Sequence, residues 1–224
     1  QAPYRDLTAL LPLTTGSVLL GTKTKGLLVF DGESLSLLHP SLADLHVTAL
    51  AGDPSSLWIG TLSQGLLHWH AGELDRFSED QGLPDRQVLS LATSGNTLYA
   101  GTPLGVAEFV DGRFERTIAD GFFATALLVE DGRLLVGTHD EGIAEIPLDR
   151  SPGRGPRPQG IMPAGPDHAP IRRLLTIGGE TFALARDGLY SLAGSSLAGT
   201  AAGRKLPAST AAQLTARNIS ALEF

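Results

Sequence analysis

The 224 residues include 42% apolar and 18% charged side chains, enough apolar material to fill a core and too little charge for a disordered chain. The 17 Lys plus Arg against 24 Asp plus Glu leave a formal charge of −7, which argues against a nucleic-acid surface and for cationic or neutral partners. Without cysteine there are no disulfides, thiolate metal sites or cysteine nucleophiles, and no apolar run approaches the roughly 20 residues of a spanning helix, so no membrane insertion is expected.

Along the chain one unit recurs. The first opens on an apolar strand at Leu7-Thr-Ala-Leu10, has a second strand ending Leu19-Leu20-Gly21-Thr22, turns at Gly26 into a third, and closes on a fourth from Glu33 to Leu38. The second repeats this with Val47-Thr-Ala-Leu50, Trp58-Ile59-Gly60-Thr61, Gly65 and Glu73 to Phe77. The third has Val88-Leu-Ser-Leu91, Tyr99-Ala100-Gly101-Thr102, Gly105 and Arg113 to Thr117. The fourth has Ala124-Thr-Ala-Leu127, Leu135-Val136-Gly137-Thr138 and Gly142; the fifth has Ile171-Arg-Arg-Leu174, a decayed Phe182-Ala183-Leu184-Ala185, and Gly188. A sixth start appears at Ile219-Ser-Ala-Leu222.

A repeat of about 40 residues holding four short strands predicts an all-β protein. In the third strands both faces are apolar: Leu27, Leu66, Val106, Ile143 and Leu189 on one, Phe30, Trp69, Phe109, Ile146 and Leu192 on the other. Sheets with two apolar faces must be sandwiched between neighbours, which predicts radial stacking as a β-propeller of four-stranded antiparallel blades. A solenoid is the competing repeat architecture; its coils are shorter, or helical with a 3.6-residue period absent here. The blades are placed at 7–46, 47–87, 88–123, 124–170 and 171–218 of a single domain, with 219–224 beginning another. The chain is then expected to be a piece of a longer propeller, its open blade covered by the remainder of that propeller or by a partner, unless the last strand latches a five-bladed ring.

Two stretches break the period, 150–170 and 193–218. The first, rich in Pro and Gly and carrying Arg150, Arg154 and Arg157, is expected to be a mobile surface loop, with a docking strap as the alternative.

The run Leu57-Trp58-Ile59-Gly60-Thr61, Gly65-Leu66, Phe77, Gly82-Leu83-Pro84-Asp85 and Val88-Leu-Ser-Leu91 resembles the two-component regulator propeller repeat, a resemblance that spans about residues 7 to 192. The fifth unit departs from it by losing Gly-Thr. The resemblance implies a propeller from the extracytoplasmic sensor region of a bacterial signalling protein or from another periplasmic or extracellular protein. It identifies the blade and not the ligand.

The turns between second and third strands and the connections between blades share one end of a blade, where binding loops concentrate. Candidate ligand-binding residues there are His139, Asp140 and Arg186 from the turns and His46, Arg86 and Gln87 from the connections, with Arg5, His168 and Asn218 nearby in the same role. Arg173 interrupts a column of small residues, Ala9, Ala49, Ser90 and Ala126, with Arg172 beside it. The pair is expected either to anchor an anion or a carbohydrate in the central channel or to serve as a structural pair with an acidic neighbour. His68 and His70, at i and i+2 on one strand face, have a spacing that could ligate a metal; a solvated blade flank is the other reading.

No Gly-x-Ser-x-Gly elbow, His-Glu-x-x-His helix or phosphate-cradling Gly-x-x-x-x-Gly-Lys loop is present. The expected function is therefore non-enzymatic, with no cofactor: recognition of a small polar ligand or a protein partner by a sensory or scaffold module. The alternatives are a propeller-type lyase or hydrolase with a polar site at the central channel, and a structural interaction piece of a larger assembly.

Overall fold

In the computed structural model residues 6–148, 160–162, 169–192 and 204–207 are described, the 160–162 segment by its backbone alone. The chain divides into two compact units, Gln1–Thr117 and Ile118–Phe224. The first holds three blades. Blade 1 consists of β1 (Leu7–Pro12), β2 (Val18–Thr22), β3 (Leu27–Phe30) and β4 (Leu35–Leu37); blade 2 of β5 (Val47–Asp53), β6 (Ser56–Thr61), β7 (Leu66–His70) and β8 (Glu73–Phe77). Blade 3 consists of β9 (Ser90–Ser94), β10 (Thr97–Thr102), β11 (Gly105–Val110) and β12 (Arg113–Ile118). The second unit holds blade 4, with β13 (Ala124–Glu130), β14 (Arg133–Thr138), β15 (Ile143–Pro147) and β16 (Gly160–Met162), and blade 5, with β17 (Ile171–Ile177), β18 (Glu180–Ala185), β19 (Gly188–Ser191) and β20 (Arg204–Lys205). Each blade is a four-stranded antiparallel meander, and the fold is that of a β-propeller. Two single 3-10 turns, Pro40–Leu42 and Glu79–Gln81, are the only helical segments among the described residues.

Gly-Thr at the end of the second strand in blades 1 to 4 has two separate jobs. The threonine closes the following turn: Thr22, Thr61, Thr102 and Thr138, all buried, donate their hydroxyls to the carbonyls of Gly26, Gly65, Gly105 and Gly142 at 2.7–2.8 Å. The glycine makes room for the next blade. A Cβ on Gly21 would stand 2.6 Å from Cγ1 of Val47, on Gly60 2.9 Å from Cγ1 of Val88, and on Gly137 2.5 Å from Cγ2 of Ile171. Each contact is with the β-branched residue that opens the next blade, so the glycine column is a socket and the Val/Ile column its wedge.

A second lock lies beside it. The first strand is bulged between Leu7 and Ala9, between Val47 and Ala49, and between Ala124 and Ala126. The bulge residue is threonine in each case. Thr8 donates to the Val47 carbonyl at 2.5 Å, Thr48 to that of Val88, and Thr125 to that of Ile171 at 2.6 Å. These are hydrogen bonds between blades, and they account for Thr in the Val-Thr-Ala-Leu start. Apolar clusters fill much of the remaining space between blades. Leu19, Leu27, Leu57 and Ile59 fill the seam of blades 1 and 2, Trp58, Leu66, Leu98 and Phe109 that of blades 2 and 3, and Leu135, Ile143, Leu174 and Tyr190 that of blades 4 and 5.

Two expectations need correcting. The third strands are not apolar-covered throughout: Phe109 and Ile146 are fully buried, but Trp69 is half-buried and Phe30 is 38% exposed. Phe30 lies on the face of blade 1 turned away from blade 2, where no other blade of its own unit packs. The 150–170 segment is also not loop throughout, because it contributes the outer strand of its blade, with Ile143 paired to Met162 and Glu145 to Gly160. Likewise β20 comes from the 193–218 stretch, pairing Tyr190 with Lys205. A three-residue or two-residue edge strand needs no periodicity of its own, since β15 and β19 supply the template. The remaining residues of both stretches, with Arg150, Arg154 and Arg157, lie outside the described residues, as do Arg5, His168, Asn218 and the 219–224 segment.

Candidate functional site

In blades 1, 2, 4 and 5 the turn between second and third strands meets the connection that leads into the blade. Lys23 N–H donates to the Asp6 carbonyl, Leu62 to His46, His139 to Phe123 and Arg186 to Pro170, at 2.9–3.2 Å. On the first unit His46 is half-buried, Arg86 is exposed and paired with Glu79 at 3.2 Å, and the Gln87 N–H is held by Asp85. On the second unit Asp140 and Arg186 are exposed, and the His139 ring stacks on Phe123 at 5.0 Å. The structure thus places His46, Arg86 and Gln87 on one unit, and His139, Asp140, Arg186, Arg172 and Arg173 on the other.

Arg172 and Arg173 occupy lock positions. Across β17 and β18 the register pairs Arg173 with Leu184, where blades 1, 2 and 4 pair alanine with the socket glycine. Arg172 stands in the bulge, where those blades have the bridging threonine. In blade 5, therefore, four lock residues are replaced at once: Thr by Arg172, Ala by Arg173, Gly by Leu184 and Thr by Ala185. Arg172 is exposed, and half-burial of Arg173 lowers its pKa from the ordinary guanidinium value.

A concavity lies at the opposite end, between blades 2 and 3 of the first unit. It is a cleft of about 400 Å³ walled by Asp53, Ser56, Trp58 and His68 from blade 2 and by Thr93, Asn96, Thr97 and Asp111 from blade 3. The seam of blades 4 and 5 is built differently. There Glu130, at the place of Asp53, spans the seam, accepting hydrogen bonds from Thr176 at 3.2 Å and Thr181 at 2.6 Å, and pairing with Arg133 at 3.0 Å. Asp53 is one methylene shorter and turns back on its own hairpin, accepting from the Ser55 and Ser56 N–H groups. The Ser55 hydroxyl and N–H also hold its carboxyl below the ordinary aspartate range. Asp53 thus keeps these hydrogen bonds within blade 2, on the wall of the cleft. On the far wall Asn96 donates to Asp111 at 2.9 Å, which orients the amide and the carboxylate together.

A polar row runs along the blade 2 wall. His68 lies flat on Trp58, with ring centres 3.8 Å apart and planes 3° from parallel, and its Nε2 is 2.9 Å from Ser56 Oγ. The His70 ring is 4.5 Å from that of His68, and its Nε2 is 2.8 Å from Asp75 Oδ2. Burial, and then the neighbouring His70, depress the His68 pKa below the usual imidazole value, with Asp75 opposing. This keeps the ring neutral near pH 7. Both tryptophans of the chain and two of its six histidines fall in blade 2, a local enrichment readable in the sequence. Thr93, Asn96 and Asp111 look like ordinary turn chemistry, and nothing in the sequence marks them as neighbours of His68.

No family model matches the chain, and no curated protein sequence matches it. Similar solved structures include the designed protein Ika8, with TM-score 0.62 and 18% identity over 83% of this chain and 57% of that one. Another is the extracellular domain of BT4673 from B. thetaiotaomicron, described as a hybrid two-component system, with TM-score 0.56 and 19% identity over 85% of this chain and 32% of that one. A third is PorZ, a bacterial surface component of the type-IX secretion system of Porphyromonas gingivalis, with TM-score 0.66 and 17% identity over 91% of this chain and 28% of that one. At these identities the likeness is one of fold. The chain spans less than two thirds of each of those structures.

Proposed function

We propose that this chain is a non-enzymatic recognition module, a propeller of the two-component regulator type in a bacterial periplasmic or extracellular protein, whose ligand is a small polyhydroxylated molecule seated between blades 2 and 3. The observation that carries the reading is the open cleft, lined by fixed amide, carboxylate and hydroxyl groups, at a seam whose counterpart is bridged by Glu130. Pockets of 300–1,000 Å³ with a few convergent polar groups on an apolar floor are the usual form of a small-molecule site. The setting outside the cytoplasm is supported by the repeat resemblance and by neighbours that include an extracellular domain and a surface component. Within the described residues no helix is long and apolar enough to cross a membrane.

The test is a titration of the intact chain with a panel of neutral mono- and disaccharides, read by amide chemical shifts. Saturable shifts should centre on residues 53–58 and 93–97, and Asn96→Ala should weaken them by about 10-fold or more, since a site built around a polar contact leaves its partners unpaired when the contact is lost. Shifts that do not saturate, or that centre on His46, Arg86 and Gln87, would refute the cleft as the site.

A further inference from the structure

We propose that His68, His70 and Asp75 form a site for one borderline transition-metal dication of the Zn2+ class at the rim of the cleft. The proposal is separate from the saccharide reading, because all three ligands belong to blade 2 and none depends on an organic molecule being bound.

The geometry begins with strand periodicity. His68 and His70 are two residues apart on β7 and therefore share a face. Asp75 on β8 lies directly opposite His68 in register, which puts its carboxylate diagonal to His70 on that same face. One candidate ligand atom from each of the three lies within 4.8 Å of the others. Metal–nitrogen and metal–oxygen bonds of about 2.0–2.2 Å place neighbouring ligand atoms roughly 3.2–3.6 Å apart, so the set has to contract by about 1 Å. The freedom for that contraction lies in His70 and Asp75, whose side chains are 35% and 56% exposed. His68, the inner ligand, is already held by Trp58 on its face and Ser56 on Nε2, the kind of outer support that orients metal-binding imidazoles.

The donor set selects the metal. Two imidazoles and one carboxylate suit Zn2+, Ni2+, Co2+ and Cu2+, whereas Ca2+ and Mg2+ take oxygen ligands. Three protein ligands leave a coordination position for water or an exogenous donor. Elsewhere Glu130 and Glu145 are each paired with Arg133, at 3.0 and 3.3 Å.

The experiment is calorimetric titration of the intact chain with ZnCl2 in a non-chelating buffer. One equivalent should bind with a dissociation constant on the order of 1–10 μM. His70→Gln and Asp75→Asn should each weaken it by about 10-fold or more, as loss even of outer-sphere partners does at metal sites, while His139→Gln and His46→Gln should bind as the parent chain does. Co2+ added to the unmutated chain should broaden amide resonances around β7 and β8, a readout independent of how well any variant folds. The absence of stoichiometric binding below about 1 mM, equal affinity in His70→Gln and Asp75→Asn, or Co2+ broadening centred on His139 would each overturn the proposal. Loss of saccharide binding with Zn2+ binding intact would leave it standing.

Discussion

Replacing Gly21 by alanine places a methyl in the socket that receives blade 2. That methyl would lie 2.6 Å from Cγ1 and 3.0 Å from Cβ of Val47, and 3.1 Å from Cβ of Ala9. Carbon pairs are most favourable about 3.5–4.0 Å apart, so the closest contact is about 0.9 Å too short. Val47 is fully buried and β-branched, with little rotamer freedom, so β5 itself must move. Overpacking of this kind costs about 1–3 kcal/mol. At roughly 2–4 °C per kcal/mol for a chain of this size, the midpoint of thermal unfolding should fall by about 2–12 °C. The sign is informative, because Gly21 is not in the left-handed region, and glycine to alanine at such a position otherwise stabilises by about 0.4–1 kcal/mol through the unfolded chain. Urea unfolding of Gly21→Ala, Val47→Ala and the double variant should show the double to be less destabilised than the sum of the singles, by about 0.5–3 kcal/mol. A stabilised Gly21→Ala, or strict additivity in the cycle, would refute the socket-and-wedge account.

Thr125→Val keeps the shape of the bulge residue but removes the hydroxyl that bridges to Ile171, and should destabilise the second unit by about 1 kcal/mol in urea, with Thr176→Val at the exposed end of the same strand pair nearer to neutral. Asp31 caps its own hairpin by accepting from the Ser34 and Glu33 N–H groups, which brings its pKa down to about 2. Its native value lies below the unfolded one, so its support for the turn is complete above about pH 4 and is lost as the pH falls toward 2. Carboxyl carbon shifts across that range should give a midpoint near 2, and a midpoint near 4 would contradict the capped geometry. Arg173→Ala should leave the unfolding temperature nearly unchanged while weakening the binding of an anionic probe such as inorganic sulfate or a sugar acid. A large loss of stability would instead assign Arg173 to the frame of blade 5.

The repeat, the strand order within a blade and the all-β class can be read from the chain because they are local: spacing, Gly-Thr punctuation and alternating apolar columns act within about 40 residues. The outer strands β16 and β20 were not legible, since two or three residues added to an existing edge carry no pattern of their own. The reason for the columns was hidden as well. Gly21 and Thr8 are required by Val47, a residue of the following blade, and no periodicity within one unit reveals that demand.

The candidate site divides along the same line. His68 and His70 stand out by their spacing on one strand, and Trp58 by its place in the second, so the blade 2 wall is written in the residues themselves. Its contents as a site come from elsewhere: Asp75 enters through β7–β8 register, and Asn96 and Asp111 enter because blade 3 packs alongside. On the wall of the cleft Asp53 folds back on its own turn, whereas Glu130 at the matching place of blade 4 reaches across to blade 5. Glu130 bonds across a seam and Asp53 bonds within its own hairpin, and that difference acquires meaning only when two blades stand side by side.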